Sequence, residues 1–313
     1  MTSDRQTIFI HIGRGKTGTT ALQQVLADHS AALLAHGVLY PAAAGGAQRI
    51  GHDTFGKAFI DQIPCYMKPP KNAAAALEAM RTEIATSRAP YILISTEQLE
   101  LANPARVREF FDDIAPDFDL RVLFFVRSQD ELVESEYNQL VKMRRLTLSL
   151  AEYTDQMFNG DFLKTALDWE AAFGPGSVLG TVYDARSPRV AKQIFELMGL
   201  ADAGADLPCP ASANTSLRFR ALATARLLNS VELENRAAVY AQIQQDTTSD
   251  DPPALFFDAV TAAKFRARFA TSTRAFSKRF LGVEADDLGG RRYGDAERNT
   301  IRRRIEALRL DRF

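Results

Sequence analysis

Two groups of polar residues directly follow apolar runs in this sequence and have the composition of anion-binding sites. The first is HIGRGKTGTT, residues 11–20, in which glycines, a lysine and three threonines come after the run IFI. The second begins at Arg127, directly after LRVLFFV. Unpaired backbone N–H groups at a helix start attract anions, and Lys and Arg add charge. These residue types therefore predict binding of phosphate-like groups.

The first group differs from the commonest phosphate-binding loop. The pattern G-x-x-x-x-G-K-[ST] would place a glycine at position 10, where this chain has Ile10. Moreover, the most apolar strand candidate is followed by Arg127, and a cation at that place repels magnesium. The sequence therefore disfavours a metal-bound triphosphate.

The two groups together resemble motifs of the sulfotransferases that use 3′-phosphoadenosine-5′-phosphosulfate (PAPS). In that family a K-[TS]-G-[TS]-[TS] loop after a strand holds the 5′-phosphosulfate, and KTGTT at 16–20 matches it. The family also has an Arg after a later strand and a Ser eight residues on, which hold the 3′-phosphate. Arg127 and Ser135 have that spacing. Weaker similarity extends over about residues 7–230, including LKTALDWEAAFGPGSVLGTVY and NTSLRFRALATARLLN.

The resemblance implies a PAPS-dependent sulfotransferase of the bacterial, carbohydrate type. An acceptor hydroxyl, expected on a carbohydrate or glycolipid precursor, would attack sulfur in line, and Lys16 would stabilise the leaving phosphate. The product would be adenosine 3′,5′-bisphosphate (PAP), and no metal would be required. The implied cofactor-binding residues are Arg14, Gly15, Lys16, Thr17, Gly18, Thr19, Thr20, Arg127, Ser135, Asn214, Ser216 and Arg218.

Two residues are candidates for the general base that an alcohol nucleophile needs. Glu97 follows the apolar run YILIS, so we expect it at the edge of the sheet where ligands bind. His52, in the loop GHDTF, has an imidazole that could accept a proton near neutral pH or bind the acceptor hydroxyl. Glu97 is slightly favoured, and it could also orient His52.

Less specific interpretations remain open at each position. Arg127 could form an ion pair with Asp130 or Glu131, and the arginine-rich segment at 291–313 could be a solvated helix face. His11 fits a core histidine better than a catalytic one. Two other functions also fit the loop: a P-loop kinase acting on a small alcohol, and a binder of PAP or PAPS without catalysis.

The elements that must position these residues form an alternation of strands and helices. Short apolar runs rich in β-branched and aromatic residues predict buried strands at 7–12, 37–40, 91–95, 120–126 and 178–183. Apolar residues at helical spacing follow most of them. This alternation predicts an α/β fold, a doubly wound sheet with central parallel strands flanked by helices, and the resemblance implies that this sheet is P-loop-like.

No linker or repeat marks a domain boundary in the 313 residues. We expect a single domain over 1–313. An α/β core over 7–230 would hold the PAPS site, and a helical C-terminal subregion would follow over 231–313.

Composition excludes several functional classes. Lys and Arg number 38 against 39 Asp and Glu, so no overall positive field exists that would bind nucleic acid. Two cysteines, Cys65 and Cys209, are too few for a disulfide framework or a metal cluster. No apolar run is long enough for a transmembrane segment or a signal peptide, so we expect a cytoplasmic protein without an anchor.

Overall fold

The computed structural model describes residues 5–43, 50–64, 67–144, 146–184, 189–208, 216–245 and 250–308. Five parallel strands lie in this part of the chain: β1 Thr7–His11, β2 Val38–Leu39, β3 Tyr91–Ser95, β4 Asp119–Val126 and β5 Val178–Val182. They form one sheet in the order β2-β3-β1-β4-β5. The predicted α/β class with central parallel strands is therefore confirmed.

The described residues form two compact units, and each unit is built from three stretches of chain. Unit 1 takes its residues from 1–126, 162–213 and 272–288, and unit 2 from 127–161, 214–271 and 289–313. The single domain over 1–313, with a core over 7–230 and a helical subregion over 231–313, stays a prediction. Helical periodicity marks the apolar face of a helix but not the core against which that face packs, so it does not reveal interleaved units.

Unit 1 contains the sheet and the helices that cover it. Its helices are α1 Thr19–Asp28, α2 Ser30–Ala35, α3 Asp53–Lys57, α4 Ala73–Thr86, a 3-10 helix Glu97–Leu101, α5 Pro104–Ile114, α8 Phe162–Phe173, α9 Val190–Leu197, α10 Ala201–Gly204 and a π-helical turn Ser277–Leu281.

The inner strand β4 shows that both faces of the sheet are covered. Phe125 belongs to a buried cluster with Leu22 of α1 and Ile194 of α9. Its neighbour Phe124 has its ring 6.3 Å from that of Phe162 in α8 and 6.0 Å from that of Phe276. Because adjacent residues of a strand point to opposite faces, helices pack on both sides of the sheet, as a doubly wound fold requires.

Unit 2 is helical in its described part. Its helices are α6 Gln129–Arg144, α7 Leu150–Gln156, α11 Phe219–Asn229, α12 Arg236–Gln245, α13 Ala259–Ala267 and α15 Asp295–Ala307, while α14 Ala270–Phe276 begins in unit 2 and continues in unit 1. Its core joins Val133 and Tyr137 of α6 with Leu222 of α11 and Phe265 of α13. No helix in the described residues has the length and apolar character needed to cross a membrane.

Candidate active site

The loop between β1 and α1 runs along the carboxyl end of β4. The N–H of Ile12 donates to the carbonyl of Leu123 at 3.0 Å, and the N–H of Arg14 donates to that of Phe125 at 3.1 Å. Chain connections leave β1 and β4 towards opposite edges of the sheet, which makes this the topological switch point. Ligands of open α/β sheets bind at such a point, so the sequence and the topology indicate the same place.

The backbone of this loop adopts conformations that few residues favour. Lys16 has φ 70° and Gly18 has φ 77°, both in the left-handed region. The lysine is unusual there, and such conformations concentrate at ligand-binding sites. Gly18 precedes α1, and a Cβ at this position would lie 2.8 Å from a methyl carbon of Val190. The loop therefore depends on glycine at position 18.

Gly13 is a requirement that sequence reasoning missed, whereas Gly15 is not sterically constrained. A Cβ on Gly13 would lie 2.4 Å from Nε2 of His11, while nothing lies within 4 Å of a Cβ on Gly15. The sequence carries no signal for Gly13, because its neighbour is set by the rotamer of His11.

Glu97 and the loop come together in unit 1. The carboxylate accepts a hydrogen bond at Oε2 from the hydroxyl of Thr19, which begins α1. Burial raises the pKa of Glu97, while the Thr19 hydrogen bond and the positive charge of Lys16 act in the opposite direction. Two residues that are distant in sequence, both predicted for the site, are therefore in contact.

Arg14 lies against a carboxylate, although the sequence assigned it to the cofactor. Its guanidinium donates from Nη1 to Oε1 of Glu100, in the same 3-10 helix as Glu97. The side chains of Arg14 and Glu100 are only 8% and 11% exposed. The charge that the sequence placed beside the anion is thus used in an internal ion pair.

His52 has backbone partners at both ring nitrogens. The N–H of Ser95 donates to Nδ1 at 3.0 Å, which places the proton on Nε2, and Nε2 donates to the carbonyl of Pro41 at 2.8 Å. The ring is buried, and burial lowers its pKa. In this geometry backbone groups occupy both ring nitrogens, and the roles predicted for His52, as general base or as ligand of the acceptor hydroxyl, stay predictions.

His11 is a core residue, in agreement with the less specific interpretation of it. Its Nδ1 lies 2.8 Å from Oγ of Ser95, and its ring meets that of Phe125 edge to face at 4.9 Å. Burial lowers its pKa to about 3, so the ring stays neutral at physiological pH.

In unit 2, Arg127 precedes α6 and Ser135 lies within it. The Arg127 guanidinium donates from Nη2 to Oε2 of Glu131 at 2.9 Å, the ion pair that the sequence left open as an alternative. Glu131 and Ser135 are four residues apart in one helix and therefore share a face. The predicted pair thus lies along one side of the start of α6.

The same helix, α6, contributes Asp130 and Glu134 to a buried ionic cluster that sequence reasoning missed. Arg298 of α15 is fully buried and contacts Asp130 and Glu134, each at 3.1 Å, while Arg266 contacts Asp130 at 2.8 Å. Glu131 also accepts the N–H of Tyr293 at 3.0 Å. The arginine-rich C-terminal segment therefore contributes a core residue as well as a solvated face.

Two of the remaining predicted residues, Ser216 and Arg218, lie just before α11. Ser216 is exposed, and the guanidinium of Arg218 donates to the carbonyl of Asp251. Asn214 lies outside the described residues. Arg218 therefore binds a neighbouring segment of unit 2, and the roles of these three residues in cofactor binding stay predictions.

No protein-family model and no curated protein matches this chain. A crystal structure of a sulfotransferase from Alicyclobacillus acidocaldarius is similar to it, with 18% identity and a TM-score of 0.42. The similarity covers 76% of this chain and 92% of that one. Identity and TM-score are both too low for this similarity to indicate the chemistry of the site.

Proposed function

We propose that the protein is a sulfotransferase, which moves the sulfuryl group of PAPS to an acceptor hydroxyl and releases PAP. The contact between Thr19 and Glu97 carries the proposal, because it joins the KTGTT loop to a carboxylate with a raised pKa. A loop that binds phosphate but catalyses no reaction does not need a general base in contact with it. A transfer to an alcohol needs one.

In this reaction Glu97, Thr19 and Lys16 of unit 1 each have one role. The acceptor oxygen attacks sulfur as the bond between sulfur and the phosphate oxygen breaks, and the hydroxyl proton passes to Glu97. Thr19 holds Oε2 of that carboxylate, so we assign the proton to Oε1. Lys16 and the N–H groups at the start of α1 stabilise the charge that develops on the leaving phosphate.

On the resemblance, Arg127 and Ser135 bind the 3′-phosphate, which takes no part in the reaction. The ion pair with Glu131 fixes the orientation of the Arg127 guanidinium. A site for this phosphate would select PAPS over ATP, which lacks it. A carbohydrate or glycolipid acceptor, no metal requirement and a cytoplasmic location complete the proposal.

Ligand-induced thermal stabilisation tests the donor class. A ligand that binds only the folded state at about 100 times its Kd adds about 2.7 kcal/mol to the free energy of unfolding. We expect PAP to raise the Tm and ATP with magnesium to leave it unchanged. Stabilisation by magnesium ATP alone would favour the kinase. Binding of PAP without transfer from labelled PAPS to any of a panel of glycans would favour the non-catalytic binder.

A further inference from the structure

The loop between β1 and α1 holds a backbone conformation against the preference of its own sequence. Lys16 has φ 70°, a region that residues with a Cβ seldom occupy. Such a conformation persists only where the surrounding contacts fix it. The contacts that fix this conformation therefore determine the position of the Lys16 Cα and Cβ atoms.

Arg14 takes part in three of these contacts. Its N–H donates to the carbonyl of Phe125 at 3.1 Å, and its carbonyl accepts the hydroxyl of the fully buried Thr17 at 2.6 Å. Its guanidinium donates to Glu100. Arg14 thus connects the loop to the backbone of β4 on one side and to the 3-10 helix on the other.

Glu100 and Glu97 occupy the same five-residue 3-10 helix, which Thr96 caps by accepting the N–H of Gln98 at 3.2 Å. The loop meets this helix twice, through Arg14 with Glu100 and through Thr19 with Glu97. Lys16 lies between the two contacts in sequence. The two contacts and the chain between them form a closed ring that limits how far Lys16 and Glu97 can move apart.

We propose that the ion pair between Arg14 and Glu100 is a positioning device, which keeps Lys16 at positive φ and fixes the loop relative to Glu97. This role rests on the proposed function. Because the pair is nearly buried, solvent screens its attraction little. Loss of the pair removes one of the two contacts that hold the loop to the 3-10 helix. The nucleotide would still bind to a looser loop, but the cation and the base would no longer be aligned at the same time.

The test uses Arg14→Met, Glu100→Gln and the double variant. Removing one partner of a buried pair leaves a charge unpaired, so the double variant serves where a single variant does not fold. The matched control is Arg106→Met with Asp61→Asn, which removes an ion pair of the same unit at 2.9 Å whose side chains are 47% and 57% exposed. Far-ultraviolet circular dichroism establishes that each variant is folded.

Hydrogen exchange of the peptide covering 13–20 measures how often the loop opens, and it can be recorded in the absence of PAPS and PAP. We expect the folded double variant to exchange about tenfold faster there, and the control to exchange as the wild type does. Single-turnover transfer should slow by about tenfold while the Kd for PAP changes by less than about threefold. Unchanged exchange in the folded double variant would overturn the proposal.

A loss of PAP affinity equal to the loss of rate would also overturn the positioning role, since Arg14 would then bind the nucleotide directly. A wild-type protein that neither binds PAP nor transfers sulfate would refute the proposed function instead. The exchange comparison would still decide whether the ion pair holds the loop.

Discussion

Replacing Arg298 by methionine should strongly destabilise unit 2. The guanidinium is fully buried, and it contacts Asp130 and Glu134 at 3.1 Å and the carbonyl of Phe257 at 3.2 Å. Breaking a buried ionic cluster by removing one partner costs about 3–5 kcal/mol. Asp130 keeps Arg266, and Glu134 keeps two backbone N–H donors. We therefore expect a loss of about 3 kcal/mol, the lower end of that range.

Urea unfolding followed by circular dichroism measures this loss, and its pH dependence tests the cause. Burial raises the pKa of Glu134, whereas Arg298 lowers it, so the pKa rises further in Arg298→Met. An acid with a raised folded-state pKa destabilises the fold above that pKa, and the penalty fades as pH falls towards its unfolded value. The loss should therefore be larger at pH 8 than at about pH 5.

The control is Arg303→Met, on the exposed face of the same helix, which should change the free energy of unfolding by less than about 0.5 kcal/mol. Adding Glu134→Gln to Arg298→Met should restore part of the loss, because the amide carries no charge. A loss below about 1 kcal/mol, or one that is equal at both pH values, would refute the assignment of this cluster as a buried charge network.

Four further predictions concern the site. Lys16→Ala should slow transfer by about 10²–10³-fold while PAP affinity is largely kept, as single-turnover kinetics and calorimetry can show; equal losses would contradict the role in the transition state. Arg127→Ala should weaken binding of PAP but not of 5′-AMP, and a uniform loss would remove the 3′-phosphate assignment. The acidic limb of the pH–rate profile should lie above the ordinary pKa of a glutamate, and Thr19→Ala should move it higher; a limb that is absent in Glu97→Gln but unmoved in Thr19→Ala would reject that hydrogen bond. Gly18→Ala should lower the free energy of unfolding by more than about 1 kcal/mol, since φ is positive and the site is crowded, whereas Gly15→Ala should cost less.

The strands and the candidate loop could be predicted because local patterns specify them. Buried parallel strands appear as short apolar runs, and the run over 91–95 coincides with β3. The polar residues that follow such strands are placed by the topology of the sheet. The contact between Thr19 and Glu97 is a consequence of that placement.

The partners of charged and polar side chains could not be predicted in the same way. Glu100 is 86 residues from Arg14, and Arg298 is 164 residues from Glu134. Nothing in the pattern near Arg298 distinguishes it from the exposed arginines of its helix. His52 likewise has the residue type of a base, but its role depends on two backbone groups that only the fold brings to its ring.

The interleaving of the two units affects the order in which the chain can fold during synthesis. The ring of Phe276 packs against Phe124 and Phe162, so one face of the sheet is completed by a residue that leaves the ribosome after most of unit 2. Until then the nascent sheet exposes aromatic side chains on that face, a state prone to aggregation. Productive folding of unit 1 should therefore be largely post-translational and should benefit from chaperones that shield this surface.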